Sequence, residues 1–294
     1  MAVVSTEQWH HLKAGFDWQN SRVAGIVDNT LIGTISLTKY IINNFFGNLA
    51  IYGDNQLGIR TVYFDNVSIT KNRVELNNGL LAYYPFEGNA NDDSGSGNHG
   101  AEQGGVNYVS GVNGQAANFD GVDDYISLPN SLDTLKSNNA KSVFAWVKIP
   151  AGVSSAECSG WGYLRSVVDN SPAGHWRYLG IHIRDGVYKA ASGIQAHQTY
   201  VEGDTLTPDT WHLIGFTWSP DSTLKVYTDN NAPVSSPNTI PTWDTVAGST
   251  FIGRQYSNPC GHYFKGAIKD VRFYDRQLND SEVEALYNSG NAAP

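Results

Sequence analysis

From Leu80 onward, apolar residues come in short runs divided by clusters of Gly, Asn, Asp and Ser, a spacing that predicts strands joined by turns. The run from Leu80 to Phe86 is the first of these strands. SVFAWVKI, from Ser142, is apolar at both alternating sets of positions, which predicts a central strand buried on two faces. HWRYLGIHIRDG separates cleanly: Leu179, Ile181 and Ile183 form one face, while Trp176, Tyr178, His182 and Arg184 form the other, with Gly180 between the two pairs. WGYLRSVV, VYKAASG, WHLIGFTW and AIKDVRFYD read as further strands, with a hairpin around Ser219-Pro220-Asp221. The period changes only at the end. In LNDSEVEALYNSG, Val283, Leu286 and Tyr287 share one face, Asn279 and Glu282 have capping-box spacing, and Gly290 terminates a predicted helix of one to two turns.

Composition agrees with an all-β sandwich or barrel: Gly, Asn, Ser, Thr, Tyr and Trp are abundant in the 294 residues, and Lys, Glu and Leu are scarce. The net charge of -9 excludes the basic surface that nucleic acid or anionic lipid requires. No apolar run reaches the ~20 residues of a membrane helix. The opening residues have no signal-peptide layout, and Met1 reads as a start codon placed before an excised piece of a longer protein. The N-terminal part also repeats a later one. Trp9-His10 answers Trp211-His212, Asp28-Asn29 answers Asp229-Asn230, and Asp65 answers Asp270. A polar connection, KNRVELNNG, spans 71–79, so the expected division is 1–74 and 75–294. Cys158 and Cys260 lie in two loops; they are two free thiols or one disulfide.

Three stretches carry a resemblance. The strand at Leu80 is followed by Asp92-Asp93-Ser94-Gly95-Ser96-Gly97-Asn98 and then by Phe119-Asp120-Gly121 with Asp124-Tyr125; the chain closes on FKG-x-I-x-D-V-R-x-Y-x-R-x-L and a short helix. Residues from about Leu80 to Tyr287 resemble a laminin-G-like, concanavalin A-like jelly roll. That implies an antiparallel two-sheet sandwich whose first and last strands pair, so that the Gly-rich loop at Asp92 lies beside Asp270. The resemblance further implies a structural Ca²⁺ held by Asp92, Asn98 and Asp270, all oxygen ligands of the kind calcium takes. It makes 1–74 the back half of a second such domain, expected to dock or self-associate because half a sandwich leaves an apolar face open. The extracellular character of the fold favours the disulfide Cys158–Cys260 and a secreted or cell-surface location.

Function rests on the mixed strand. An aromatic and basic face formed by Trp176, Tyr178, His182 and Arg184 suits sugar rings and hydroxyls. Trp161, Tyr163, Arg165, Tyr256 and His262, in or beside the cysteine-bearing loops, are expected near one rim of it. Asp120, Asp123 and Asp124 read as turn residues and not as a catalytic cluster. The E-x-D-x-x-E strand of laminarinase-type jelly rolls does not occur in the chain, nor does H-E-x-x-H, and Gln195-Ala196-His197 is only a loose lyase-like trio. The sequence therefore points to a non-catalytic module binding an oligo- or polysaccharide. A jelly-roll lyase or hydrolase, or a spacer without a sugar site, are the competing readings.

Overall fold

The computed structural model describes residues 12–17, 22–27 and 30–36, and residues 76–291 apart from 131, 133–136, 154–163, 171–176, 195–197, 244–247 and 256–262. The chain divides into two compact units, Met1–Arg73 and Val74–Pro294. In the first, β1 (Leu12–Asp17), β2 (Arg22–Val27) and β3 (Thr30–Ser36) form an antiparallel sheet in that order. Val27 pairs with Thr30, the tight register of a hairpin. The tryptophan, histidine and aspartate matched to the later repeat, Trp9, His10 and Asp65, lie outside the described residues, as do Cys158 and Cys260.

The second unit opens with β4 (Leu80–Tyr84), β5 (Ala101–Gln103), β6 (Asn107–Ser110), β7 (Gln115–Asp120) and β8 (Tyr125–Ser127). The middle strands are β9 (Lys141–Lys148), β10 (Leu164–Asp169), β11 (Arg177–Arg184), β12 (Val187–Ile194) and β13 (Thr199–Leu206). Then come β14 (His212–Trp218), β15 (Lys225–Thr228), β16 (Val234–Ser235), β17 (Phe251–Ile252) and β18 (Lys265–Tyr274), and α1 (Asp280–Asn291) closes the fold. One sheet has seven strands in the order β13-β12-β11-β10-β17-β8-β5; the other runs β16-β15-β14-β9-β18-β7-β6, with β4 also on β18. Neighbouring strands in both sheets are antiparallel, for example β4 on β18 through Val271↔Tyr84. The first and last strands of the unit therefore pair. This is a concanavalin A-like jelly-roll sandwich, almost entirely β.

The core lies between the two sheets. Val143, Ala145 and Val147 enter it from β9, and Leu179, Ile181 and Ile183 from β11, all nearly inaccessible to solvent. β9 is apolar on its other face for a separate reason. Phe144 and Trp146 form a second buried cluster with Leu213, Tyr227 and Tyr274, roofed by Leu278, Val283 and Leu286 of the C-terminal segment. Burying each such side chain contributes about 1.5–3 kcal/mol. The helix is anchored at its start by the reciprocal bonds of a capping box: Glu282 N–H donates to Asn279 Oδ1 at 3.0 Å, and Asn279 N–H donates to Glu282 Oε2 at 2.9 Å. It is longer than its sequence predicted, with 12 residues, and runs through Gly290. A Cβ on Gly290 would stand 2.2 Å from Trp146 Nε1. The glycine's task is close packing on the indole, and Trp146 stacks on Tyr287 with ring centroids 5.6 Å apart.

Candidate functional site

Two regions carry the candidate chemistry. In the first, the opening loop is tied together by Asp92, which is 5% exposed. Its Oδ1 accepts the N–H groups of Tyr83 and Ser94, both at 2.9 Å, and its Oδ2 accepts that of Asn98 at 2.9 Å. Burial alone would raise the Asp92 pKa, but these hydrogen bonds outweigh it and hold the carboxyl below its ordinary value. The Asn98 carbonyl accepts the Tyr84 hydroxyl at 2.6 Å, and Asp270 Oδ1 accepts the Tyr83 hydroxyl at 2.6 Å. Asp270 sits at an irregularity in the β18 pairing, with φ at 52°. Thus the loop and the closing strand are neighbours joined through Tyr83. The three residues expected to hold calcium each present an oxygen to N–H or O–H donors of the protein. Among the described residues, the one group of three acidic or metal-ligating side chains whose ligand atoms converge is Asp120, Asp123 and Asp124. There Asp120 Oδ1 accepts the N–H of Val122 and of Asp123, and Asp124 Oδ2 accepts that of Asp120, as in a self-capped turn.

The second region is the outer face of the seven-stranded sheet. Residues paired across antiparallel strands share a face. Tyr178 lies opposite Gly193, and Gly193 opposite Tyr200; Gly180 lies opposite Ala191, and Ala191 opposite Glu202; His182 lies opposite Lys189. These rows point away from the core that holds Leu179 and Ile181. The Tyr178 hydroxyl and His182 Nε2 are 2.8 Å apart, and His182 Nδ1 is 2.8 Å from Glu202 Oε1. Burial lowers the His182 pKa more than its bond to Glu202 raises it. The imidazole is therefore neutral near pH 7, donating from Nδ1 to the carboxylate and accepting the phenol at Nε2. Burial would raise the Glu202 pKa, but the bond from His182 and the charges of Arg184 and Lys189 bring it down. Arg184 and Lys189 stand 3.6 and 3.9 Å from the Glu202 oxygens.

The sequence places Tyr178 and His182 on an open platform; the structure buries them at 5% and 2% exposure. What reaches solvent is the rim. Tyr200 is 39% exposed, its ring 5.5 Å from His182 and under the Arg184 guanidinium at 5.9 Å. Arg165, expected at the rim, pairs with Ile181, is buried and donates to the Leu164 carbonyl. Trp161, Tyr163, Trp176, Tyr256 and His262 lie outside the described residues. Tyr200, Glu202 and Lys189 escaped the sequence reading, although TYVEGDTL sets Tyr200 and Glu202 two apart on one strand face. Beneath this rim the Ser166 hydroxyl, paired in register with Gly180, is buried without a hydrogen-bond partner.

The family model described as the concanavalin A-like lectin/glucanases superfamily matches residues 120–284. No curated protein sequence matches the chain. Among solved structures, domain 4 of AbnA, a GH43 extracellular arabinanase from Geobacillus stearothermophilus in complex with arabinotriose, is 26% identical with a TM-score of 0.55, over 71% of this chain and 98% of that domain. The binding domain of Paraclostridial Mosquitocidal Protein 1 is 18% identical with a TM-score of 0.56, over 73% of this chain. The receptor binding domain of botulinum neurotoxin C/D mosaic serotype is 13% identical with a TM-score of 0.53, over 72% of this chain. The aligned region spans about half the length of these two toxin domains, 53% and 52%; at such identity the likeness is one of fold. No helix among the described residues is long and apolar enough to cross a membrane.

Proposed function

The chain belongs to the concanavalin A-like lectin/glucanase superfamily, and on that footing we propose that it is a non-catalytic carbohydrate-binding module of a larger extracellular protein. The observation that carries this reading is the rim of the outer face. There the exposed Tyr200 ring stands beside Glu202, with Arg184 and Lys189 around the carboxylate and His182 locked behind it. A ring offers a stacking surface to the apolar face of a sugar, and Glu202, Arg184 and Lys189 offer acceptors and donors to its hydroxyls. The likeness to an arabinanase domain solved with arabinotriose supports the same reading. Glycoside hydrolysis uses two carboxyl groups facing each other across the scissile bond. Glu202 is instead held between an imidazole and two cations, an environment that fixes it as an ionised acceptor.

Affinity electrophoresis and calorimetry against arabino-oligosaccharides and a panel of other glycans test the proposal. Binding without new reducing ends or unsaturated products is expected, weakened by roughly tenfold or more in Tyr200→Ala, the scale of losing one aromatic stacking contact. Release of products would favour a catalytic jelly roll. Failure to bind any glycan would overturn the proposal in favour of a spacer domain.

A further inference from the structure

A second patch on the same outer face has no part in the reading above. β17 ends at Ile252, and Gly253 turns the chain sharply with φ at 86°. The turn is pinned by Gly253 N–H to the Val167 carbonyl at 3.0 Å and by Phe264 N–H to the Gly253 carbonyl at 2.8 Å. Arg254 is thereby laid over three rings, its guanidinium carbon 4.5 Å from the centroid of Tyr125, 4.9 Å from Phe251 and 5.6 Å from Tyr263. The rings brace one another: Tyr125 meets Phe251 edge-on at 5.6 Å and Tyr263 at 6.3 Å. All four residues are half-buried. These ring contacts restrain the guanidinium, a planar fork suited to bidentate acceptors.

Among the described residues, no carboxylate meets that guanidinium. Nε makes one long bond to the carbonyl of Gln255, at 3.3 Å, and among the described residues no Asp or Glu pairs with Arg254. Other described arginines have polar or ionic partners, Glu202 for Arg184, Glu282 for Arg276 and Asn170 for Arg177. Among the described residues, a planar donor without a carboxylate partner thus lies against three half-buried aromatic rings.

We propose that Arg254, with the Tyr125–Phe251–Tyr263 rings, is a subsite for a carboxylate-bearing sugar unit, a uronate. The carboxylate takes the guanidinium of Arg254, and the aromatic rings flank the sugar. This deepens the carbohydrate-binding reading and rests on it. The register puts both patches on one face: Phe251 pairs with Asp169, Asp169 with Tyr178, Tyr178 with Gly193, and Gly193 with Tyr200.

Calorimetry of the whole chain with trigalacturonate, with its carboxyl-reduced counterpart and with arabinotriose tests the assignment. Binding of trigalacturonate is expected to exceed that of the reduced sugar by roughly ten- to hundredfold, the scale of a charge-assisted bidentate contact, and to weaken with added salt. Arg254→Lys, which keeps the charge but loses the planar fork, is expected to remove that preference while leaving arabinotriose binding unchanged. Equal binding of the acidic and reduced sugars by the unaltered chain overturns the subsite without needing any variant to fold. Binding of arabinotriose alone leaves the module reading standing and rejects the uronate; binding of none of the three, nor of any glycan in the wider panel, rejects both.

Discussion

Replacing Asp92 distinguishes a loop closed by hydrogen bonds from one closed by a cation. The Asp92 carboxylate accepts three backbone N–H groups, from Tyr83, Ser94 and Asn98. Asp92→Ala leaves all three without that acceptor. The parent residues of these donors are only partly buried, so water recovers some of the loss, and a total of about 2–4 kcal/mol follows from roughly 1–3 kcal/mol per fully orphaned group. For a domain of this size that is a fall in melting temperature of about 4–16 °C. Asp92→Asn keeps the Oδ1 acceptor for Tyr83 and Ser94 and turns an amide toward Asn98 N–H, so it costs about half as much. Because the folded pKa of Asp92 lies below its unfolded value of about 3.9, its stabilisation is complete above that pH and lost as the pH falls through the folded value. The assay is thermal unfolding with and without a calcium chelator. The loss in Asp92→Ala is expected to be the same in both, and the unaltered chain to melt identically. A chelator-induced fall in the unaltered chain, abolished by Asp270→Ala, would refute this reasoning and restore the cation.

Two further outcomes are expected. His182 and His212 titrate on opposite sides of 6.5: burial depresses His182, whereas for His212 the bond and charge of Asp229 outweigh burial and raise it. Stability owed to His182 is thus lost as pH falls through its folded value, and stability owed to His212 as pH rises through its own; imidazole NMR titrations showing His182 above His212 would contradict both environments. Gly290→Ala is expected to lower stability by about 1–3 kcal/mol in thermal unfolding, against a helix-propensity gain of about 1 kcal/mol, because the new methyl meets the Trp146 indole.

The strands were legible because alternation is a local signal. Both apolar sets of β9 could be read directly, but not that one meets the facing sheet and the other the helix, since the partner of a buried face is a tertiary fact. The sequence predicts too short a helix because Gly290 looks like a terminator; its real constraint, the approach to Trp146, lies more than a hundred residues away in the chain. The Asp92 loop showed its acceptors but not the N–H groups of Tyr83, Ser94 and Asn98 that meet them, because backbone donors leave no mark on residue type. The mixed face of β11 was legible, whereas its neighbours were not. Bringing Glu202 to His182 depends on the register of β12 against β13, which shifts between Lys189 and Ala191. The Arg254 patch draws Tyr125, Phe251 and Tyr263 from separate segments, so no window of sequence contains it.

The two outer faces of the sandwich have unequal fates, and the location of binding follows from that. The face carrying Phe144 and Trp146 is closed by the C-terminal segment, so ligand contact there would require lifting Val283 and Leu286 out of an apolar cluster. The opposite face keeps its polar network anchored from below: Tyr178 and His182 are buried and fixed, and they hold Glu202 at the surface. A group held this way is ordered before a ligand arrives, which reduces the entropy that binding must overcome. Tyr200 on β13 and Phe251 on β17 are four strands apart in the sheet order, about 19 Å at the ~4.8 Å strand spacing. No single sugar unit spans that distance. If one chain engages both patches, it lies across the strands, with its acidic unit at Arg254 and another unit on Tyr200, and its second contact forms at the high effective concentration set by the first.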